Sequence, residues 1–551
     1  MTAKVSTSPS EETSEAASGE GAKVTRAGWH ALLLVSAAWT LSLLDRQILA
    51  ILAPNIREDL QIGDAELGLL YGTVFALFYA LFSLPLGRLV DGWVRTRLLA
   101  ICLTLWSFSA GLAAFAGGFA LLAISRLGVG IGEAATQPAA NSIIFDEFPK
   151  RLRGTAMAAT GVAIALGLGL SITLGGVVAS WWDARYAAGG APLGFAGWQF
   201  AFLVAAAPGF PLAWLVWRMR EPARGAIDGI VSPPDPHPFR ASAGVLGAVT
   251  PVSNWFALWH RKAGARQWAI NLVGLALILA VCIVMTRVTQ GFSPRPPLEV
   301  LGLAIDPHVL QWFVVGFGAF VILNLFQGFR LTDLPTYKVV LSPSLILLMV
   351  VGGLQTSINY GIMGFTPSFL IREYGLSQKD TAIQFGLLSA GLGMVGPIVA
   401  GPLSDILTRR LGGKGRVALV LASLGISPFF GIWTYSAEDA ASFYLRFSCY
   451  SLILTLWLPP IYSLMFDLVL PRMRGITSSA YVIISTLLGL GMGPYLVGIV
   501  SDRNGGDLGA AIIAINWNAP VIVALLLVVL LRIKRDEGSL LDRARAGGEP
   551  V

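Results

Sequence analysis

The chain has 551 residues, of which 55% are hydrophobic and only 13% charged, with a net charge of +7 and a mean hydropathy of +0.69. A soluble protein carries about 25% charged residues, and a soluble core stops growing near ~250–300 residues, so a soluble globular fold is excluded. The positive charge does not mark a nucleic-acid binder, because the Lys and Arg residues sit in alternate short loops between apolar blocks.

Residues 1–24 are polar and rich in Ser, Thr, Glu and Ala, and read as a disordered tail. Crossing a hydrocarbon layer takes ~20 apolar residues as helix. Fourteen blocks reach that length: 29–53, 66–90, 97–117, 119–145, 152–180, 198–217, 267–286, 308–328, 342–371, 381–407, 415–435, 441–469, 475–500 and 509–532. No short cleavable signal precedes the first block, which is expected to stay as an anchor. The predicted organisation is a six-helix bundle over 25–220, a linker over 221–340 that inserts a transmembrane hairpin (267–286 and 308–328), a second six-helix bundle over 341–535, and a tail over 536–551. The segment Trp255–Trp259 suits a short helix at headgroup depth, where aromatic residues concentrate. Basic residues cluster at Arg95 and Arg97, at Lys150, Arg151 and Arg153, at Arg218 to Arg224, at Arg409 to Arg416, at Arg472 and Arg474, and at Arg532 to Arg535. This asymmetry places those loops, and with an even helix count both termini, in the cytoplasm.

The two hydrophobic halves repeat one another. Gly87-Arg88-Leu89-Val90-Asp91, with Arg95 and Arg97, returns as Gly401-Pro402-Leu403-Ser404-Asp405, with Arg409 and Arg410. Phe145-Asp146 followed by Arg153-Gly154 returns as Phe466-Asp467 followed by Arg474-Gly475. The fold class is therefore an all-α membrane protein of two pseudo-symmetric six-helix bundles plus the inserted pair, with a substrate chamber near the midplane between them.

Ionisable side chains within membrane spans are costly and mark function. The first block holds Asp45 and Arg46; the fourth holds Arg126 and Glu133, about 20° apart on one helix face, with Gln137 and Asn141 extending the stripe. Arg126 is expected to pair with Asp45 or with Glu133, which compete for one positive charge. Protonating a carboxylate would free Arg126 for an anionic substrate, and opening or closing the chamber would change each carboxylate's hydration and hence its proton affinity. The alternative is a static pair pinning helix one to helix four. Gln355 and Asn359 on one later helix, and Arg446, Tyr450 and Trp457 on another, are further candidates for the chamber wall, and aromatic content beside a cationic residue suits an amphipathic substrate. Pro459-Pro460 is expected to kink the second of these helices.

Other chemistries have no visible carrier. The three cysteines lie inside apolar blocks, the four histidines lack metal-ligand spacing, and no nucleophile–base constellation stands out, so no metal, cofactor or enzyme activity is expected. Gly489-Leu490-Gly491-Met492-Gly493-Pro494 lacks a following Lys-Ser/Thr and reads as a close helix contact or a bending point rather than a phosphate loop.

These residues resemble the major facilitator superfamily. The turn at 87–97 resembles its signature loop between helices two and three through Gly87, Asp91, Arg95 and Arg97, with Gly92 and Val94 departing from the pattern; the second copy keeps Gly401, Asp405, Arg409 and Arg410. The resemblance implies that these groups join Asp146 in a latch that holds the outward-open state. Leu44-Asp45-Arg46-Gln47, Gly130-Ile131-Gly132-Glu133-Ala134, Phe145-Asp146-Glu147-Phe148-Pro149 and Trp198-Gln199-Phe200-Ala201 resemble bacterial spinster-like transporters. That likeness implies proton-linked movement of lysolipid-like or other amphipathic anions through Asp45, Arg126 and Glu133; a monomer in the bacterial inner membrane is expected. Gly132-Glu133-Ala134 with Pro138 is shared with organic-anion and sugar-acid symporters, which remain an alternative. A non-transporting receptor or sensor is the alternative of another class.

Overall fold

The computed structural model describes residues 24–61, 74–228, 235–295, 297–300, 303–376 and 378–550. The expected tail 1–24 and the start of the second apolar block, 66–73, fall outside these residues, Val24 excepted. In chain order the helices are α1 (Arg26–Leu60), α2 (Val74–Gly92), α3 (Arg95–Leu112), α4 (Phe119–Glu133), α5 (Thr136–Glu147), α6 (Arg153–Arg185), α7 (Gly197–Ala206), α8 (Gly209–Arg218), α9 (Pro238–Val249), α10 (Ser253–His260), α11 (Ala265–Phe292), α12 (Pro307–Thr332), α13 (Leu334–Val340), α14 (Pro343–Tyr374), α15 (Gln378–Leu411), α16 (Gly413–Tyr435), α17 (Ala440–Thr455), α18 (Leu458–Asp467), α19 (Arg474–Ser485), α20 (Gly493–Arg503), α21 (Leu508–Ile515), α22 (Ala519–Gly538) and α23 (Leu540–Ala546). Among the described residues, thirteen helical stretches are long and apolar enough to span a membrane; α2 is the described part of the remaining block.

Several spans are two helices joined at a break. The α4–α5 break precedes Pro138, and the α17–α18 break falls at Leu456 and Trp457, just before Pro459 and Pro460. Proline lacks an N–H and clashes with the preceding turn, so each break sits where the sequence places that clash. Thr486–Gly491 forms a π-helical turn between α19 and α20, ahead of Pro494, at the glycine-rich run expected to bend.

The two bundles meet along two matching seams, α6 with α15 and α2 with α19. Small residues let the backbones approach. At the α6–α15 seam a Cβ on Gly154 would lie 3.0 Å from the Gly401 carbonyl; at the α2–α19 seam one on Gly475 would lie 2.7 Å from the Gly87 carbonyl. Glycine is thus required at equivalent positions by the same close approach.

The helix pair between the two bundles, α11 and α12, lies at the second seam. α12 packs on α2, on α19 and on the π-turn, while α9 packs on α2. Gln311 donates to the Gly491 carbonyl at 2.7 Å, and the His308 ring is 2.7 Å from the Tyr495 hydroxyl. α11 lies outside, turning Leu272, Leu277, Val281, Ile283, Val284 and Val288 outward to lipid. Buried amides tie the insertion together: Asn271 donates to Asn324 at 2.6 Å and to Gln327 at 2.8 Å, and accepts from Trp255 at 2.8 Å. In lipid such interhelical bonds do the work that apolar burial does in water. The expected short helix at Trp255–Trp259 is α10, held by this network. One element departs from the all-α expectation: β1 (Leu298–Val300) and β2 (Leu303–Ile305) pair antiparallel in the hairpin's connection. Pro297 bars helix there, and β-branched Val300 and Ile305 favour strand.

The end of the chain is not a loose tail. α23 packs on α13, and Glu549 pairs with Arg472 (Nε to Oε1 2.6 Å), which also donates to Asp333 at 3.0 Å. Burial raises the Asp333 pKa, but hydrogen bonds and charge from Arg472 and the bonds from Thr336 outweigh it and hold the carboxyl below its usual range. A depressed carboxyl contributes stability above its unfolded value of ~3.9, and that contribution is lost as pH falls through the folded value. Limited proteolysis of the tail is therefore expected to be slow at neutral pH and to accelerate once pH drops below ~3.9. Equal cleavage rates at both pH values would refute this.

Candidate functional site

Asp45 and Arg46 lie on α1, and Arg126 and Glu133 on α4, the arrangement the helical spacing requires. Their pairing differs from expectation. Glu133, fully buried, accepts from Arg46 Nη2 at 2.8 Å, Arg46 Nε at 3.3 Å and the Ser42 hydroxyl at 2.9 Å. Ser42 and Arg46 are four residues apart, so α1 presents both on the face toward Glu133. The Arg46 guanidinium also lies over the Phe75 and Tyr79 rings, at 4.7 and 4.8 Å. Of the two partners expected for Arg126, Asp45 or Glu133, Glu133 is taken by Arg46, which the sequence placed only on the chamber wall.

Arg126 and Asp45 form the second half of the site. Arg126 donates at 3.2 Å to the backbone carbonyl of Asp45, not to its carboxylate, and lies 5.3 Å from the Phe202 ring centroid. Asp45 is 1% exposed and Arg126 2%. The Asp45 carboxylate has the Trp106 indole N–H as its neighbour, and among the described residues Nε and Nη2 of Arg126 and Oε1 of Glu133 have no hydrogen-bond partner. Buried polar groups are almost always satisfied, and a charge left unsatisfied in low dielectric costs several kcal/mol (~1–3 even for a neutral group). Four formal charges that sum to zero, with polar atoms left open on both signs, form a site whose energy a proton or an anion would change strongly.

The remaining candidates divide. Gln137 donates to the Tyr462 hydroxyl at 3.1 Å and Asn141 to the Ser478 hydroxyl at 3.3 Å, both from α5 across to the other bundle. Gln355 donates to Asn359 at 3.1 Å within α14. Arg446 instead donates to the Trp433 carbonyl at 3.0 Å and lies over its ring, and Tyr450 donates to Asn516 at 3.3 Å. The contacts of Arg446 and Tyr450 stay inside the second bundle, so these two do not join the Asp45–Glu133 group, while Trp457 is buried at the α17–α18 break.

The repeated turns meet at the basic end of the seams. Asp91 accepts from the backbone N–H groups of Gly475 and Ile476, both at 2.9 Å. Asp405 accepts from those of Gly154 at 3.1 Å and Thr155 at 3.0 Å, and from the Thr155 hydroxyl at 2.9 Å. Each aspartate thus caps the N-terminus of the other bundle's helix, where unpaired N–H groups and the helix dipole favour an anion. Beside each cap runs a charge chain. Arg95 pairs with Asp146, which accepts from Arg474 at 3.2 Å. Arg416 pairs with Asp467, which accepts from Arg153 at 3.3 Å. The Phe145 and Phe466 rings meet edge to face between the chains, centroids 5.0 Å apart.

Arg97, Arg409 and Arg410 are exposed and outside these chains; Arg97 lies near the Trp217 ring. The structural counterpart of Arg95 is Arg416, which the sequence reading passed over because Leu411-Gly412-Gly413-Lys414-Gly415 lengthens the second turn. Arg153 and Arg474 were visible as a repeat, but their reach across the seam was not.

The comparisons agree with this geometry. The sequence model described as Major Facilitator Superfamily matches residues 35–334 and 324–494. The chain is 24% identical over 486 residues to an MFS-type efflux pump of Mycolicibacterium smegmatis, covering 88% of this chain and 87% of the pump. It is 24% identical over 470 residues to human protein spinster homolog 1, covering 84% and 71%. A shorter match, 30% identical over 148 residues, is to the hexuronate transporter of Bacillus subtilis, covering 27% and 35%. Among solved structures, a bacterial homolog of the human lysosomal transporter Spinster, inward-facing and occupied, superimposes with a TM-score of 0.52 at 21% identity over 95% of this chain and 98% of that one. The proton:xylose symporter XylE gives 0.56 at 14% identity over 93% and 96%. At such identities these structures bear on the fold alone. With a family match along most of its length and two bundles related by matching seams, this multi-pass membrane transporter belongs to the major facilitator superfamily.

Proposed function

We propose that the chain moves a small organic or amphipathic anion by alternating access, coupled to protons through Asp45, Arg46, Arg126 and Glu133. The observation that carries this reading is the open guanidinium of Arg126: buried, charged, bonded among the described residues to one backbone carbonyl alone, and facing an aromatic ring. An anion with an apolar body satisfies both features, since its charge meets Arg126 and its body meets Phe202. Glu133 is the proposed proton carrier. Ionised, it holds Arg46; protonated, it loses most of that attraction and lets α1 move relative to α4. The seam caps and charge chains are the proposed gate, closed at the basic end, which the loop charges assign to the cytoplasm.

The names of relatives support an acid as substrate: a hexuronate transporter and a probable L-galactonate transporter are among the sequence matches. Export is the second reading, favoured by the long match to an efflux pump. The test is transport in proteoliposomes under an imposed pH gradient, measured in both directions for a panel of sugar acids and lysolipids. Glu133→Gln is expected to keep substrate exchange while losing proton-driven accumulation. A Glu133→Gln and Asp45→Asn pair that both retain the full proton dependence would remove proton coupling from this site.

A further inference from the structure

A cavity of about 810 Å³ lies at the basic end, outside the Asp45–Glu133 group, between α2, α9, the end of α12, α13 and the first turn of α19. Its walls combine cationic groups, Arg88, Arg240, Arg261 and Arg472, with an apolar side that includes Val245, Leu325 and Phe329.

The carboxylates in this cavity are already engaged. Asp91 caps α19, Asp235 accepts from Arg88 at 2.9 Å and from the His237 N–H at 2.9 Å, and Asp333 holds Arg472. Arg240 and Arg261 are exposed and have no ion pair among the described residues. The charge still available is therefore positive. Beside the cavity, α9, α10 and the turn between them carry Phe239, Val252, Phe256 and Trp259 outward, at 58%, 70%, 64% and 68% exposure, next to Arg240, Arg261 and Lys262. Exposed aromatics interleaved with basic residues suit the boundary between headgroups and acyl chains. A basic pocket between spans at that depth fits an anionic headgroup, with the apolar wall left for the chains.

We propose that this cavity binds an anionic glycerophospholipid of the adjoining leaflet, with Arg240 and Arg261 as the phosphate contacts and Val245, Leu325 and Phe329 along its chains. The site is independent of the transported substrate, because it is built by the insertion and the outer face of the α2–α19 seam.

The test uses the full chain, delipidated in detergent, with phosphatidylglycerol, phosphatidylcholine and glycerol 3-phosphate as probes, read by thermal shift and native mass spectrometry. Phosphatidylglycerol is expected to bind and raise the melting temperature, and phosphatidylcholine and glycerol 3-phosphate to do neither at the same concentration. Arg240→Gln/Arg261→Gln is expected to weaken phosphatidylglycerol about 30-fold, from ~1 kcal/mol for each lost charge. Arg409→Gln/Arg410→Gln, an exposed basic pair at the same end, is expected to leave it unchanged. If the first double variant does not fold, the single variants decide, each expected at about 5-fold. Equal binding of the two lipids, unchanged affinity in the Arg240/Arg261 variants, or equal loss in the control pair would overturn the proposal. Binding of glycerol 3-phosphate as tight as that of the lipid would also overturn it, in favour of a soluble-anion site.

Discussion

Arg126→Gln is expected to lower affinity for the transported anion about 100-fold, the loss of one or two charge-assisted hydrogen bonds at ~1.5–3 kcal/mol each. Flux should fall with it, because no other described guanidinium of the group is open: Arg46 is held by Glu133. The substitution also removes the neighbouring positive charge that offsets the buried Asp45 carboxylate, and leaving a buried charge uncompensated costs up to ~3–5 kcal/mol. A lowered melting temperature alone would therefore say nothing about transport. Asp45→Asn/Arg126→Gln separates the two effects, since it removes both charges at once. The double variant is expected to melt near the wild type and still not bind. Ligand-induced thermal shift and counterflow in proteoliposomes are the measurements. Retention of binding by the double variant would sink the assignment of Arg126.

The difference between what was legible and what was not follows from the range of the interactions. Block lengths, the repeated turns and the placement of Asp45, Arg126 and Glu133 within spans depend on local composition and spacing, and the fold carries them. The partner of Glu133 depends on how α1 is rotated against α4. A single residue's step, from Asp45 to Arg46, is ~100° of helix face, so it decides which side chain reaches Glu133. Arg416 was hidden for another reason: a glycine-rich insertion shifted it along the sequence while the fold kept its place beside Asp467. The seam caps involve backbone N–H groups of Gly154 and Gly475, which carry no side chain for a sequence pattern to register. Arg446 and Tyr450 show the opposite case, polar groups on one helix face that bond within their own bundle.

Removing the seam caps is expected to open the basic end. A lost N-terminal cap costs ~0.5–2 kcal/mol, and the caps sit on separate seams, so their effects should add. Asp91→Ala/Asp405→Ala is then expected to shift the closed–open equilibrium about 30-fold toward open, ~2 kcal/mol in all. A reporter cysteine at Ser478, which is buried beside Asn141, would read the shift as faster maleimide labelling in a background lacking Cys102, Cys282 and Cys449. The two single variants should differ despite the pseudo-symmetry. Asp405 makes three hydrogen bonds across a seam with no insertion on it. Asp91 makes two, across a seam that α9 and α12 already brace from outside. Rocking at the braced seam must also slide α12 past the π-turn and break the Gln311–Gly491 bond. Asp405→Ala is therefore expected to raise labelling more than Asp91→Ala, and adding Gln311→Leu should bring Asp91→Ala toward the same level. Equal labelling by both single variants, with no effect of Gln311→Leu, would show that the insertion does not restrain the gate.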